Sequence, residues 1–230
     1  HFDVVIVQAQ DKLAGENVFV TQGAVHHINK DKLCAAKENF SQLFASLPRP
    51  LIGVLVGGRR WHQKFSVKSA NDLAQKISFA AIKKHGSLAV MPSRRTGRKN
   101  INILTERLKD ASAYVWDGRG KDPYLGVLAL SDYLIVTSDS KSMISEACST
   151  GKPVYVYELL KLGRRHKSFL KSFKDRGMIR HFSGVFENWT YVSPDETRLA
   201  ADFILRRFAE KKDVVYETHE PVEEGVQSLA

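Results

Sequence analysis

The chain has 230 residues, 43% hydrophobic and 26% charged, enough to bury the core of one large domain. A net charge of +10 favours anionic partners, whether phosphate ligands, nucleic acid or an acidic membrane surface. The sequence lacks an apolar run near the roughly 18 residues of a membrane span, and its two distant cysteines, Cys34 and Cys148, support neither a disulfide framework nor a cysteine-rich zinc site.

The chain opens on His1 inside a strand-like run, with no signal-peptide pattern, so an upstream segment is expected. Residues 4–7 and 18–21 read as strands of a first segment, 1–45, which resembles the end of an earlier unit. Leu47-Pro48-Arg49-Pro50 then forms a hinge into a main domain over residues 46–212. Residues 51–56 make a strand ending in Gly57-Gly58, and residues 66–84 a helix with Ala70, Leu73, Ala74, Ile77 and Ala81 on one face. Strand 88–91, helix 101–109, strand 113–116, a short helix 123–130 and strand 133–136 follow. Helix 141–150 stops at Gly151, a C-cap, and Pro153 leads into strand 154–157. Residues 162–167 read as a basic loop, and 168–176 and 194–210 as final helices. The tail, 213–230, holds Glu217, Glu220, Glu223 and Glu224 and is acidic from Glu217 onward. Five strands alternating with helices predict an α/β fold with a doubly wound parallel sheet, Rossmann-like, whose strands are apolar because both faces are covered.

In such a sheet, ligands bind beyond the carboxyl ends of the strands. Four loops fall there: Gly57-Gly58-Arg59-Arg60-Trp61, Pro92-Ser93-Arg94-Arg95-Thr96-Gly97-Arg98-Lys99, Asp117-Gly118-Arg119-Gly120-Lys121, and Thr137-Ser138-Asp139-Ser140. Glycines let backbone N–H groups approach an anion, arginines supply forked charge-assisted bonds, and a helix N-terminus adds unpaired N–H donors. Basic residues of a merely solvated surface would fall on helix faces as readily. In helix 141–150, Ser142, Ser145, Glu146 and Ser149 share one face, while Met143, Ile144, Ala147 and Cys148 face the sheet. Ser138, Asp139 or Ser140 caps that helix, and Glu146 stands about one turn above Ser142, placed to accept from vicinal hydroxyls.

These residues carry a resemblance. Gly57-Gly58 together with S-E-x-x-x-x-G-x-P, residues 145–153, resembles the nucleotide-binding half of glycosyltransferase-B enzymes. The resemblance implies that Glu146 binds a ribose, that the loop from Ser138 to Ser142 lies by the diphosphate, and that Trp116 and Asp117 hold the base. The segments 51–60, 92–97, 122–126 (with Tyr124), 131–153 and 188–191 are more specifically similar to the mitochondrial fission "elongated mitochondria" family. Its bacterial relatives are labelled predicted nucleoside-diphosphate-sugar epimerases. Gln10 and Asp122 depart from that family's histidine and asparagine.

The resemblance implies the C-terminal half of a glycosyltransferase-B fold, with a nucleoside-diphosphate sugar as ligand and neither cofactor nor metal required. Glycosyl transfer is the leading expectation, with most of an N-terminal domain lying outside this chain and no nameable general base. His26, His27 and Asp11 are the candidates beside the cleft. The alternatives are a sugar-nucleotide epimerase and a non-enzymatic module that meets a protein partner or an anionic membrane surface from the cytoplasm. Nucleic acid is disfavoured, because the Arg-rich loops lack interleaved aromatics and there is no helix-turn-helix.

Overall fold

A computed structural model describes residues 2–58, 65–159 and 161–217, the last seven of these by backbone alone. Two strands near the start, β1 (Val5–Gln8) and β2 (Val18–Thr21), pair in parallel as a ladder of their own. The main sheet has six parallel strands: β3 (Leu51–Val56), β4 (Ser87–Pro92), β5 (Ala113–Val115), β6 (Tyr133–Thr137), β7 (Val154–Tyr157) and β8 (Ile179–His181). Their order is β5-β4-β3-β6-β7-β8. Counted from β3 this is the doubly wound order 3-2-1-4-5-6, so the chain reverses direction across the sheet between β3 and β6.

Helices cover both faces. On one side lie α2 (Val67–Lys83) and α3 (Arg98–Leu108), which bury Leu73, Ile77 and Leu104 against Ile52, Val54 and Val56. On the other lie α4 (Tyr124–Leu130), α5 (Lys141–Cys148) and α6 (Arg164–Asp175), whose Val127, Ile144, Cys148, Phe169 and Phe173 pack with Leu51, Leu55 and Val136. Alternate side chains of β3 thus enter different cores, as the period of two requires. All six residues of β3 are buried, which explains why the strand reads as a continuous apolar run.

Several features differ from the sequence reading. The sixth strand, β8, was not expected; its three residues include Arg180 and His181, both exposed, so it shows no apolar pattern. Helix α1 (Lys30–Phe40) was also not anticipated. Asn29 caps it by accepting from the Lys32 N–H at 2.9 Å. Its Ala36 and Phe40 join the α4–α5–α6 core, and Phe40 fits against Gly126, where a Cβ would come within 2.6 Å of the ring. Finally, residues 164–167 are not a loop but the first turn of α6, because buried His166 and Phe169 commit that turn to the core. The last helix, α7 (Glu196–Glu217), starts two residues later than expected and runs beyond 210. Cys34 is exposed and Cys148 is buried, its thiol pushed up by desolvation.

Residues 21–28 cross the top of α5 as a strap. The Ala24 N–H donates to Ser145 Oγ at 2.9 Å, and the Gln22 N–H donates to Glu196 at 3.2 Å. Thr197 holds the strap from the other side: its Oγ1 accepts from the His26 N–H at 2.9 Å and donates to the His26 carbonyl at 2.7 Å.

Candidate functional site at the switch point

The crevice between β3 and β6 is closed by three loops bonded to one another. Gly57 donates its N–H to Thr137 Oγ1 at 2.7 Å, and Gly58 donates to Asp139 Oδ2 at 3.0 Å. Thr137 in turn donates from its hydroxyl to Asp139 Oδ1 at 2.7 Å. From the neighbouring loop, Thr96 Oγ1 donates to the carbonyls of Val56 and Gly57 at 2.9 and 2.5 Å, and Ser93 Oγ reaches the Gly57 carbonyl at 3.2 Å. Arg95 completes the ring with an ion pair to Asp139 at 3.0 Å. The Asp139 side chain is fully buried, so its charge is balanced by one guanidinium and two neutral donors.

Both glycines are required by this closeness. A Cβ on Gly57 would collide with the Asp139 carboxylate, and one on Gly58 would strike the Arg95 backbone carbonyl. The expectation that these two N–H groups wait for an anion is therefore corrected: they already bond to Thr137 and Asp139. Arg95, expected to be a phosphate ligand, is half committed to Asp139 but keeps 40% of its side chain in solvent. Arg94 is exposed beside it. Arg59 and Arg60 lie outside the described residues.

Helix α5 begins at this ring. Ser140 is its N-cap and accepts from the Met143 N–H at 3.5 Å. Ser138 faces the other way, accepting from the Leu159 N–H at 3.2 Å, and Ser142 is exposed. The helix start keeps its dipole and its first N–H groups directed at the crevice mouth. Ser145 is buried rather than on an open face, because the strap covers it; its hydroxyl donates to the Lys141 carbonyl and accepts from Ala24.

Glu146 lies five residues into the helix, about 7–8 Å along the axis from Lys141 at the normal helical rise. Its carboxylate accepts a short bond from the Tyr124 hydroxyl on α4. Burial, then the neighbouring Glu146 charge, holds the Tyr124 phenol well above its ordinary range, so it remains a donor. His26 on the strap senses the same carboxylate. Its desolvation outweighs the attraction of Glu146 and lowers its pKa below the usual imidazole value, and its Nδ1 is buried without a hydrogen-bond partner. Tyr124 and Glu146, named separately in the sequence, are hydrogen-bonded to each other, and the fold sets His26 near the same carboxylate.

Trp116 closes its own turn instead, donating from Nε1 to the Arg119 carbonyl at 3.0 Å, and packs with Tyr124 on the same core. Asp117 accepts from the Arg119 N–H at 2.9 Å. Trp189 and Tyr191 are packing residues: Trp189 meets Tyr155 edge-on at 5.1 Å, and Tyr191 donates to the carbonyls of Cys148 and Lys152. Thr137, read from the sequence as the start of the loop Thr137-Ser138-Asp139-Ser140 and not as a site residue, instead ends β6 and bridges Gly57 and Asp139.

The strand order, the helices on both faces and the loops meeting at the switch point define a Rossmann-like α/β domain. More particularly, the chain belongs to the mitochondrial fission ELM1 family, whose sequence model matches residues 1–208. It is 35% identical over 198 residues to the mitochondrial fission protein ELM1 of Arabidopsis thaliana, covering 84% of this chain and 46% of that protein. An uncharacterised protein, RP120, of Rickettsia prowazekii is 28% identical over 194 residues, 79% of this chain and 53% of its own length. The chain therefore spans about half the length of these relatives. Among solved structures, the UDP-GlcNAc 2-epimerase of Neisseria meningitidis bound to UDP-GlcNAc is similar at a TM-score of 0.47 and 16% identity, over 85% of this chain and 57% of that one. MurG of Acinetobacter baumannii is similar at 0.44 and 13%, over 96% of this chain and 57% of its own.

Among the described residues no helix is long and apolar enough to cross a membrane, and no three His, Cys, Asp or Glu side chains gather to hold a metal ion.

Proposed function

We propose that the crevice between β3 and β6 binds a nucleoside-diphosphate sugar, with this domain serving as the donor-binding half of a glycosyl-transferring protein. The observation that carries the reading is one helix: α5 starts at the switch point beside Arg94 and Arg95, and raises Glu146 about one turn higher, in contact with Tyr124. The helix start and the arginines attract the diphosphate, and Glu146 accepts from the ribose hydroxyls while Tyr124 holds its other side. On transfer, charge that develops on the leaving diphosphate is met by donors already oriented, which is how such sites lower a barrier.

Thermal-shift and calorimetric titration with UDP, GDP, CMP and their sugar conjugates test the reading. Saturable stabilisation by one nucleotide is expected, lost in Glu146→Ala and weakened in Tyr124→Phe. A stabilisation that Glu146→Ala leaves intact would remove the assigned role of Glu146.

A second reading has its own support. Because Gly57, Gly58 and much of Arg95 are satisfied within the protein, the ring around Asp139 holds loops together without any ligand. That favours an interaction module whose basic rim meets a protein or an anionic surface. Silence across the whole nucleotide panel is its signature, together with loss of partner recruitment on reversing Arg94.

A further inference from the structure

A second feature of the carboxyl edge is independent of the nucleotide reading. A cavity of 620 Å³ opens between the turn after β1 and the start of α6, lined among others by Asp11, Lys12, Arg164, Arg165 and Ser168. Its volume lies within the range of small-ligand sites, roughly 300–1,000 Å³. Three cations face one carboxylate, and Asp11 stands 3.9 Å from Arg165, too far for a tight pair.

The placement of these cations opposes local stability. Arg164, Arg165 and Lys167 all sit in the first turn of α6, where the dipole is positive; that turn has no acidic residue, and Gly163 supplies no side-chain cap. Positive charge set against a positive helix end is unfavourable for the free protein and is relieved when an anion arrives. The cavity also borders the switch-point crevice. Lys141, the first residue of α5, donates to Gln8 Oε1 at 3.0 Å, and Gln8 leads directly into the turn that lines the cavity. Lys141 also lies over the Phe169 ring of α6.

We propose that this cavity is a second anion site, seating a phosphomonoester between Arg164, Arg165 and Lys12, beside but separate from the crevice at α5. Arginine forks match the three oxygens of such a group, and Ser168 adds a hydroxyl donor. The phosphomonoester is the shared chemistry of a free sugar or glycerol phosphate and of a lipid such as phosphatidic acid.

The test uses the full chain with two probes: glycerol 3-phosphate followed by amide NMR shifts, and flotation with phosphatidylcholine vesicles with or without phosphatidic acid. Binding of either probe is expected, weakened at least about 10-fold in the R164E/R165E double variant and left within about 2-fold in Arg94→Glu. Because glutamate suits a helix start, the double variant should melt no lower than the parent, which separates lost binding from lost folding. If it does melt lower, R164Q/R165Q replaces it under the same criterion. Response to the soluble probe or to the vesicles names the source, and either supports the site. Binding that survives the double variant, binding lost instead in Arg94→Glu, or silence with both probes overturns the proposal. Silence with UDP alongside retained phosphomonoester binding removes the nucleotide reading and leaves this site standing.

Discussion

Replacing Asp139 by alanine removes the hub of three loops at once. The Gly58 N–H loses its acceptor in a buried setting, which costs about 1–3 kcal/mol. Thr137 still accepts from Gly57 but has lost the oxygen to which it donated, adding about 1 kcal/mol. Arg95 is 40% exposed and regains water, so the ion pair itself adds only about 0–1 kcal/mol. The sum is roughly 2–5 kcal/mol, and in a chain of this size each kcal/mol moves the melting temperature by about 2–4 °C. A circular-dichroism melt of the alanine variant should therefore show a fall of about 4–20 °C, with Asp139→Asn between it and the parent because one oxygen acceptor remains. Arg95→Gln leaves the fully buried carboxylate without its counter-charge and should cost a comparable amount. A fall below about 2 °C in the alanine variant would refute the view that Asp139 locks these loops.

Other consequences are equally concrete. Gly126→Ala drives a methyl into the Cβ and ring of Phe40 and should destabilise by about 1–3 kcal/mol in urea titration. Half-buried Lys152 donates to the Leu128 and Ala129 carbonyls at 2.7 and 2.6 Å, and desolvation brings its pKa down to about 8. Between about pH 8 and the unfolded value of 10.5 the unfolded chain binds more protons, so this group adds stability as pH rises through that window, by at most about 3 kcal/mol. The difference in unfolding free energy between parent and Lys152→Met should climb over the same range; a flat difference would show that Lys152 keeps an ordinary pKa. His26 has a lowered pKa, so it favours the folded state above its unfolded value near 6.5 and loses that contribution as pH falls through the folded pKa. His26→Gln should flatten that mild-acid slope in a pH series of melts.

Much of the architecture was legible. The β3, β6 and β7 runs are apolar because they are buried on both faces, and α2 shows its inward stripe at three-and-four spacing. Local chemistry also narrowed the cap of α5 to Ser138, Asp139 or Ser140, of which the fold uses Ser140, and marked the turn after the helix, where Gly151 has a positive φ of 71°. Strand β8 and helix α1 escaped for the opposite reason. Each buries only part of a short, polar segment, so most of its stabilisation comes from partners distant in sequence: β7 for the one, α4 for the other.

At the candidate site, composition and position alone put glycines, arginines and a capped helix at the carboxyl edge of the sheet, since strand ends and helix starts are local features. Which of those groups face a ligand was decided by the tertiary structure. Asp139 is drawn beneath Gly58 and Arg95 across 81 and 44 residues of chain, and a strap over 100 residues upstream covers Ser145 and brings His26 to Glu146. Hydrogen-bonding capacity is readable from residue type. How it is shared out depends on partners that only folding brings within about 3 Å.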